Sequence, residues 1–340
     1  MQKSSEEPHY YGGQAVMEGV MMRGKKFYSM AVRKPNGEIA VVTHSIAQKK
    51  HPLLKLPIIR GIYAFGSSLS IGMKTLTESA EIATDGEPEE ATSRFEQFLQ
   101  NKLGDKFNDV LIQVSVVFAI AIAVLLFVLL PLWLGSFLYN IFGENQNLLG
   151  LFEGFARLTI FLLYVLLISR SKDIKRVFQY HGAEHKTINA YEQNRQNSDL
   201  EVDNIQGFSR LHNRCGTSFL LIVMIISIFV FTFVRTPDLP LRLISRLVLI
   251  PVVAGLSYEV IRWAGRSKSR LVKAVSFPGL CLQHLTTKEP DAEQMEVAAV
   301  ALKTVLQKEL EQMEEPEETS SKEEREQLAK LYEPPKNNKS

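Results

Sequence analysis

The chain has little of what marks several large classes of protein. Only two of its 340 residues are cysteine, Cys215 and Cys281, which excludes a disulfide framework and fits a reducing compartment. Charge of one sign is scarce as well: 39 Lys and Arg stand against 37 Asp and Glu, so bulk charge gives no ground for a nucleic-acid partner. The opening M-Q-K-S-S-E-E-P-H-Y has no apolar core, so no cleavable signal peptide is expected and internal helices must direct insertion. No Walker or dinucleotide glycine spacing occurs, which removes support for that kind of phosphate binding.

What the chain does have is segregation. Its 46% hydrophobic and 22% charged residues resemble a globular average, but the apolar ones are clustered. Val110 to Leu134 and Thr217 to Val234 contain no charged residue. A helix needs roughly 20 apolar residues to cross about 30 Å of hydrocarbon, so both read as membrane spans. Two further spans carry charges. Residues 150–169 include Glu153 and Arg157, spaced i,i+4 with the acid first, the favourable order for an ion pair on one helix face. Residues 243–261 carry Arg246 and Glu259 toward their two ends.

Cations set the expected orientation. Arg170, Lys172, Lys175 and Arg176 follow the second span, and Arg262, Arg266, Lys268, Arg270 and Lys273 follow the fourth. Residues 135–147 have no Lys or Arg, and the turn around Pro237 has only Arg235 and Arg242. The positive-inside bias then expects a multi-pass protein of the cell membrane with both termini and the loop 170–216 cytoplasmic. The fold class expected is an α-helical integral membrane protein with four transmembrane helices, a cytoplasmic N-terminal β-hairpin region, a His-containing cytoplasmic loop and a C-terminal cytoplasmic helix.

The N-terminal region, 1–52, carries the hairpin signal. Phe27 to Arg33 and Glu38 to His44 are rich in strand formers and flank Lys-Pro-Asn-Gly, whose Asn and Gly tolerate positive φ. Gly12 to Gly24 reads as a glycine-bent strand packing on that hairpin, with a site role for Glu18 as the rival. Residues 53–83 turn helical; the uncharged part, Gly61 to Met73, is short for a span, so an amphipathic helix on the membrane surface or against the bundle is expected. Residues 84–109 read as a linker and a cytoplasmic helix. In 262–313, Asp291 and Gln294 form a capping box ahead of an apolar stripe through Met295, Val297, Val300, Ala301, Val305 and Leu306, which needs a partner. The Glu-, Lys- and Ser-rich tail 314–340 is expected to be disordered.

The loop also holds Tyr180-His181-Gly182-Ala183-Glu184-His185-Lys186-Thr187. On a helix His181 and His185 share one face, a geometry that places two imidazoles on one metal. H-x-x-E-H reverses the zincin order and matches the inverzincin pattern, in which the Glu, here Glu184, is the base acting on a metal-bound water. His212 and Cys215 lie just before the third span, at the same expected interface. They would complete four N and S ligands, a closed tetrahedral set for structural zinc; alternatively His181, His185 and one acid leave a position open for water. Glu192 shares the helical face of His185 but lies roughly 10 Å further along the axis, beyond a coordination sphere. Glu259 is the acid better placed, with pairing to Arg262 as its rival. Cys215 has packing at a helix start as the plainer alternative, and the histidines an interfacial one.

Five motifs carry a resemblance: G-G-Q-A-V-M-E-G-V-M-M-R-G, Y-H-G-A-E-H-K-T-I-N-A-Y-E, R-C-G-T-S-F, Y-E-V-I-R-W-A-G-R and P-G-L-C-L-Q-H-L-T-T-K-E-P-D. Together, from Tyr11 to Leu306, the chain resembles the YqhQ-like family of bacterial multispanning membrane proteins, which implies a metal-dependent enzyme without an assigned substrate. The first expectation is therefore a membrane-embedded metalloprotein that holds a divalent metal, zinc first, and performs metal-assisted hydrolysis. The second is a non-catalytic assembly or scaffold protein with a structural metal, whose hairpin and C-terminal helix dock membrane or cytoplasmic protein partners beside the lipid bilayer. A transporter built on Glu153 and Arg157 ranks last, because no inverted repeat or broken-helix pair is visible.

Overall fold

Residues 11–47, 51–85, 107–142, 146–193, 200–234, 239–266 and 269–314 are described by a computed structural model. Most of the linker expected over 84–109 and the tail beyond residue 314 lie outside the described residues.

The expected hairpin is half of a larger sheet. Strands β1 (Gly12–Val16), β2 (Gly19–Arg23), β3 (Phe27–Arg33) and β4 (Ile39–Ser45) form a four-stranded antiparallel meander in the order β1-β2-β3-β4. Gly37, at φ 89°, turns β3 into β4, as the Asn-Gly signal requires. Neither β2 nor β3 shows the alternation of a half-solvated strand, because both faces of the sheet are covered. On one face Val20, Met22 and Ala31 join a core with Tyr180, Ile188 and Leu302; on the other Val16, Met21, Met30 and Val32 pack with Ala83.

Two helices supply the first cover. These are α5 (Lys172–Gln193) and α10 (Ala292–Glu314), and α1 (Ile59–Ala83) supplies the second. The capping box forms as read: Asp291 Oδ1 accepts from Gln294 N at 2.8 Å and Gln294 Oε1 accepts from Asp291 N at 3.0 Å. The apolar stripe that follows meets β2, β3 and α5. Its partner is thus within the chain.

Among the described residues four helices are long and apolar enough to cross a membrane: Gln113–Leu138, Asn147–Ile168, Gly216–Phe233 and Pro240–Ala264. The first runs through α2 (Phe107–Val124), a π-turn at Leu125–Leu129 and α3 (Leu130–Phe142). The others belong to α4 (Gln146–Ile168), α7 (Gly216–Phe233) and α8 (Leu239–Arg266). Between them lie α6 (Val202–Gln206), after α5, and α9 (Arg270–Thr286), which packs on α7. Phe118, Phe137, Leu167, Phe229 and Phe233 point outward and exposed, as an apolar solvent would require.

The helix α1 ties sheet to bundle. Its Gly61 crosses α8 so closely that a Cβ would stand 2.9 Å from the Gly255 carbonyl oxygen, and its Ser79 accepts from Met17 N at the other end. Ile62, Leu69, Met73 and Leu76 leave an apolar face exposed, in keeping with the amphipathic reading.

One expected pair is replaced. Glu153 does not bond Arg157 but Arg242 and Arg246 of α8, because helix packing brings two guanidiniums from a neighbouring span to its carboxylate.

Candidate metal centre

The centre is assembled where α5, the start of α7 and the end of α9 meet. Asp173 in the first turn favours the helix that carries H-x-x-E-H. One turn apart on it, His181 and His185 place their ring centroids 4.4 Å from each other. Gly182 between them is a packing requirement, since a Cβ there would stand 2.1 Å from the Lys288 carbonyl oxygen. That close approach brings the segment after α9 against His181.

Each imidazole is oriented through the same atom. His181 Nδ1 lies 2.8 Å from the Thr286 carbonyl oxygen and His185 Nδ1 lies 2.6 Å from that of Arg210. A carbonyl only accepts, so both Nδ1 atoms carry the proton and both Nε2 atoms present lone pairs. Those lone pairs converge on Cys215, the N-cap residue of α7, whose Sγ is 3.2 Å from His181 Nε2. The nitrogens and the sulfur all lie within 4.8 Å of one another and could hold a metal ion.

His185 Nε2 is buried and has no hydrogen-bond partner among the described residues. An unmet acceptor in a buried place is costly, and a metal ligand is the kind of partner that removes the cost. Tetrahedral zinc with N at about 2.0 Å and S at about 2.3 Å implies an N to S separation of roughly 3.5 Å, close to what the pair shows. Burial holds the His185 imidazole below the usual histidine range. That keeps it in the neutral form that ligates.

The loop carrying the Arg210 carbonyl is itself gripped by α5. Lys186 Nζ donates to Gln206 O at 2.8 Å, and Asn189 Nδ2 donates to Ser209 O and Leu211 O at 2.6 and 3.0 Å. The Arg210 side chain reaches across to Thr287, whose Oγ1 is 3.0 Å from Nη1. Gln283 of α9 donates to His212 O and Ser218 Oγ and accepts from His212 N, all at 2.8 Å. Fully buried, it fixes the loop beside Cys215.

A model described as "Protein of unknown function (DUF1385)" matches residues 56–308. The chain belongs to the DUF1385 family. It is 39% identical over 304 residues to "Uncharacterized protein YqhQ" of Bacillus subtilis (strain 168), covering 88% of this chain and 93% of that one. The resemblance read from the five motifs therefore holds along most of the sequence. No solved structure matches the chain.

In this DUF1385 member the other candidate residues fall into four places. His212 is buried with its ring 5.5 Å from that of His185, but its Nε2 faces Arg214 at 3.4 Å and Glu192 at 3.7 Å. Glu184 packs under β1, where Gly13 leaves room that a Cβ would fill at 2.9 Å from its Cγ. Burial pushes the Glu184 carboxyl up to about 7, against the pull of His181 and the Gly13 amide. Glu259 stands apart on α8, ion-paired with Arg60 of α1 and not with Arg262. Glu18 pairs with Arg176 and accepts from the Tyr180 hydroxyl at 3.3 Å, tying the β1–β2 turn to α5. Thr286, Arg210 and Gln283 were not singled out from the sequence as site residues. Two act through backbone carbonyls, which have no sequence signature; Gln283, within the P-G-L-C-L-Q-H-L stretch of α9, is the one that acts through its side chain.

Proposed function

We propose that the chain is a membrane metalloprotein whose His181 Nε2, His185 Nε2 and Cys215 Sγ hold a divalent metal, zinc first, for metal-assisted hydrolysis. The observation that carries this reading is the shared commitment of both Nδ1 atoms to carbonyls, which leaves the orphaned Nε2 of His185 facing a second imidazole and a thiol. Backbone carbonyls that orient ligating histidines are the usual outer layer of a metal site. Three protein ligands leave a fourth position open, as catalytic zinc sites do. A metal there would supply Lewis acidity and acidify a bound water. Glu184, next to His185 in the chain and raised toward neutrality by burial, is assigned the proton. The cation-rich flanks of the second and fourth spans support a cytoplasmic centre, with both termini on that side and the lipid bilayer as the partner of the four spans.

The scaffold reading keeps one supporting observation, the proximity of the His212 ring to His185. It requires His212 to leave Glu192 and Arg214 and close the site. Metal content of detergent-purified protein separates the two. Wild type and His212→Ala are expected to carry about one metal per chain, with His185→Ala and Cys215→Ala carrying none. X-ray absorption should then show two imidazoles, one sulfur and one light oxygen. Loss of metal in His212→Ala with no oxygen ligand selects the structural site, and wild type that takes up no metal after reloading ends both readings.

A further inference from the structure

Helix α1 has one side packed and one side bare. Its carboxyl half meets the sheet, where Ser68 Oγ accepts from Arg23 Nη1 at 3.4 Å and a Cβ on Gly72 would stand 2.6 Å from Gln14 Oε1. Its amino half meets the bundle. A Cβ on Gly61 would stand 3.0 Å from Gly255 Cα of α8, a Cβ on Gly255 would stand 2.6 Å from Ile58 Cγ2, and the Phe65 ring lies 5.7 Å from that of Phe219 on α7. The bare side is an apolar stripe at helical spacing: Leu56, Ile59, Ile62, Tyr63, Leu69 and Met73 are 36 to 57% exposed. In water such a stripe is a liability, so it needs a cover.

The contacts with the bundle fix how deep the stripe reaches. Gly255 belongs to the span Pro240–Ala264 and lies about 10 Å along the helix axis from Arg262, the first cation at that end, at about 1.5 Å per residue. One leaflet of hydrocarbon is about 15 Å thick, so the start of α1 sits inside the apolar layer that this span requires. Exposed Val252, one turn before Gly255, and exposed Leu220, next to Phe219, continue the stripe into the outward surface of the spans. Arg60 is the sole charged residue from Leu56 to Leu69, and Glu259 of α8 accepts from its Nε at 2.6 Å. Paired in this way, a guanidinium is tolerated beside hydrocarbon. A helix start normally leaves its first amides to water. Here the Ile58 amide bonds the Glu259 carboxylate, those of Ile59 and Arg60 donate to the Pro57 and Leu56 carbonyls at 2.8 and 3.1 Å, and Pro57 has no N–H to place. Backbone in lipid has to be satisfied from within the protein in this manner.

We propose that residues 56–66 form a re-entrant element whose partner is lipid: the turn at Ile58 and the first half of α1 lie among the acyl chains of the leaflet nearest the sheet, and Leu69 and Met73 carry the stripe out to the head groups. The helix thus neither crosses the bilayer nor lies flat on it. Ile58, at φ 67°, is the point of return; this conformation is costly for a β-branched residue and is held by the packing on Gly255.

Tryptophan quenching tests this in full-length protein held in phosphatidylcholine nanodiscs. The chain has two Trp, so Trp133→Phe with Trp263→Phe gives a dark background for Leu56→Trp, Tyr63→Trp and Leu76→Trp, each at an exposed position. Leu56→Trp and Tyr63→Trp are expected to lose fluorescence to phosphatidylcholine brominated near mid-chain as strongly as Trp133 does in a Trp263→Phe protein, and to be spared by aqueous iodide. Leu76→Trp, beside the sheet, should show the reverse. Iodide quenching at positions 56 and 63 equal to that at position 76 would lay the helix on the surface and overturn the proposal. Protection of both positions from bromine and iodide alike would overturn it too, because a second copy of the chain would then be the cover. If the variants elute as aggregate, the unaltered protein answers the question. A phosphatidylcholine with a diazirine in its acyl chain should label peptides within 56–66 on illumination, and label confined to the four spans overturns the proposal.

Discussion

At one end of the helical bundle two imidazoles and a thiol turn lone pairs toward a common point; at the other, two guanidiniums, Arg242 and Arg246, turn N–H groups toward a single carboxylate. Both clusters are buried, both draw on helices distant in sequence, and each has buried side-chain nitrogens with no partner among the described residues. The sign of what is unmet differs. At the His185 end an acceptor is orphaned, which suits a cation; at the Arg246 end donors are orphaned. Each cluster can be removed without touching the other.

The largest effect is expected at the arginine end. Glu153→Ala strips the carboxylate from buried cations and should cost about 3–5 kcal/mol, read as a lowered unfolding midpoint in detergent. A Glu153→Ala protein as stable as its parent would break the contrast, since the carboxylate would then not be what holds the guanidiniums.

Next comes pH at the histidine end. Burial lifts the Glu184 carboxyl from 4.5 to about 7. The folded state therefore keeps a proton that the unfolded chain releases, so stability is full below the lower value and falls as pH rises through the upper one. In metal-stripped protein the fall should be roughly 3 kcal/mol at most. Glu184→Gln should flatten that slope in denaturant titrations across the range. An unchanged slope would mean that Glu184 is not the buried acid, and the site would lose its assigned proton carrier.

How much of this was legible depended on the range of each interaction. The spans showed because a run without charge needs no partner to be recognised, and the H-x-x-E-H pair because helix periodicity alone stacks His181 on His185. The β3–β4 turn and the Asp291 capping box showed because both are local. The strands β1 and β2 were read only as one bent strand, since burial of β2 on both faces erases its alternation and β1 opens on Gly12 and Gly13 where a pattern would be. Long-range choices were illegible. Nothing near Glu153 announces that its partners lie on α8, and nothing near Glu259 announces Arg60 of α1. Cys215 and His212 stood equal as candidates in the sequence; the geometry that separates them comes from Gln283 and Glu192, which hold the loop and the His212 ring elsewhere.

Packing around the centre offers a sharper test than its ligands. Gly182→Ala would put a methyl 2.1 Å from the Lys288 carbonyl oxygen, so α5 and the segment after α9 must part. Overpacking of this kind costs about 1–3 kcal/mol. Because Thr286 orients His181, metal content should fall with stability, although no ligand has changed. Full metal occupancy in a destabilised Gly182→Ala protein would show that the Thr286 bond is dispensable.

The smallest effect isolates the sheet layer from both clusters. Asp291→Ala removes the acceptor that holds Gln294 N at 2.8 Å and frees its side of the capping box. Loss of such a cap costs about 1 kcal/mol. The helix it starts is held mainly by its apolar stripe, from Met295 to Leu310, against the sheet and α5, so fraying at the first turn should not undock it. Metal content should stay at the wild-type level while the unfolding midpoint drops slightly. A loss of metal in Asp291→Ala would show that the start of α10 also braces the segment 286–290, which carries the Thr286 carbonyl to His181, and the centre would then extend one helix further than its ligands suggest.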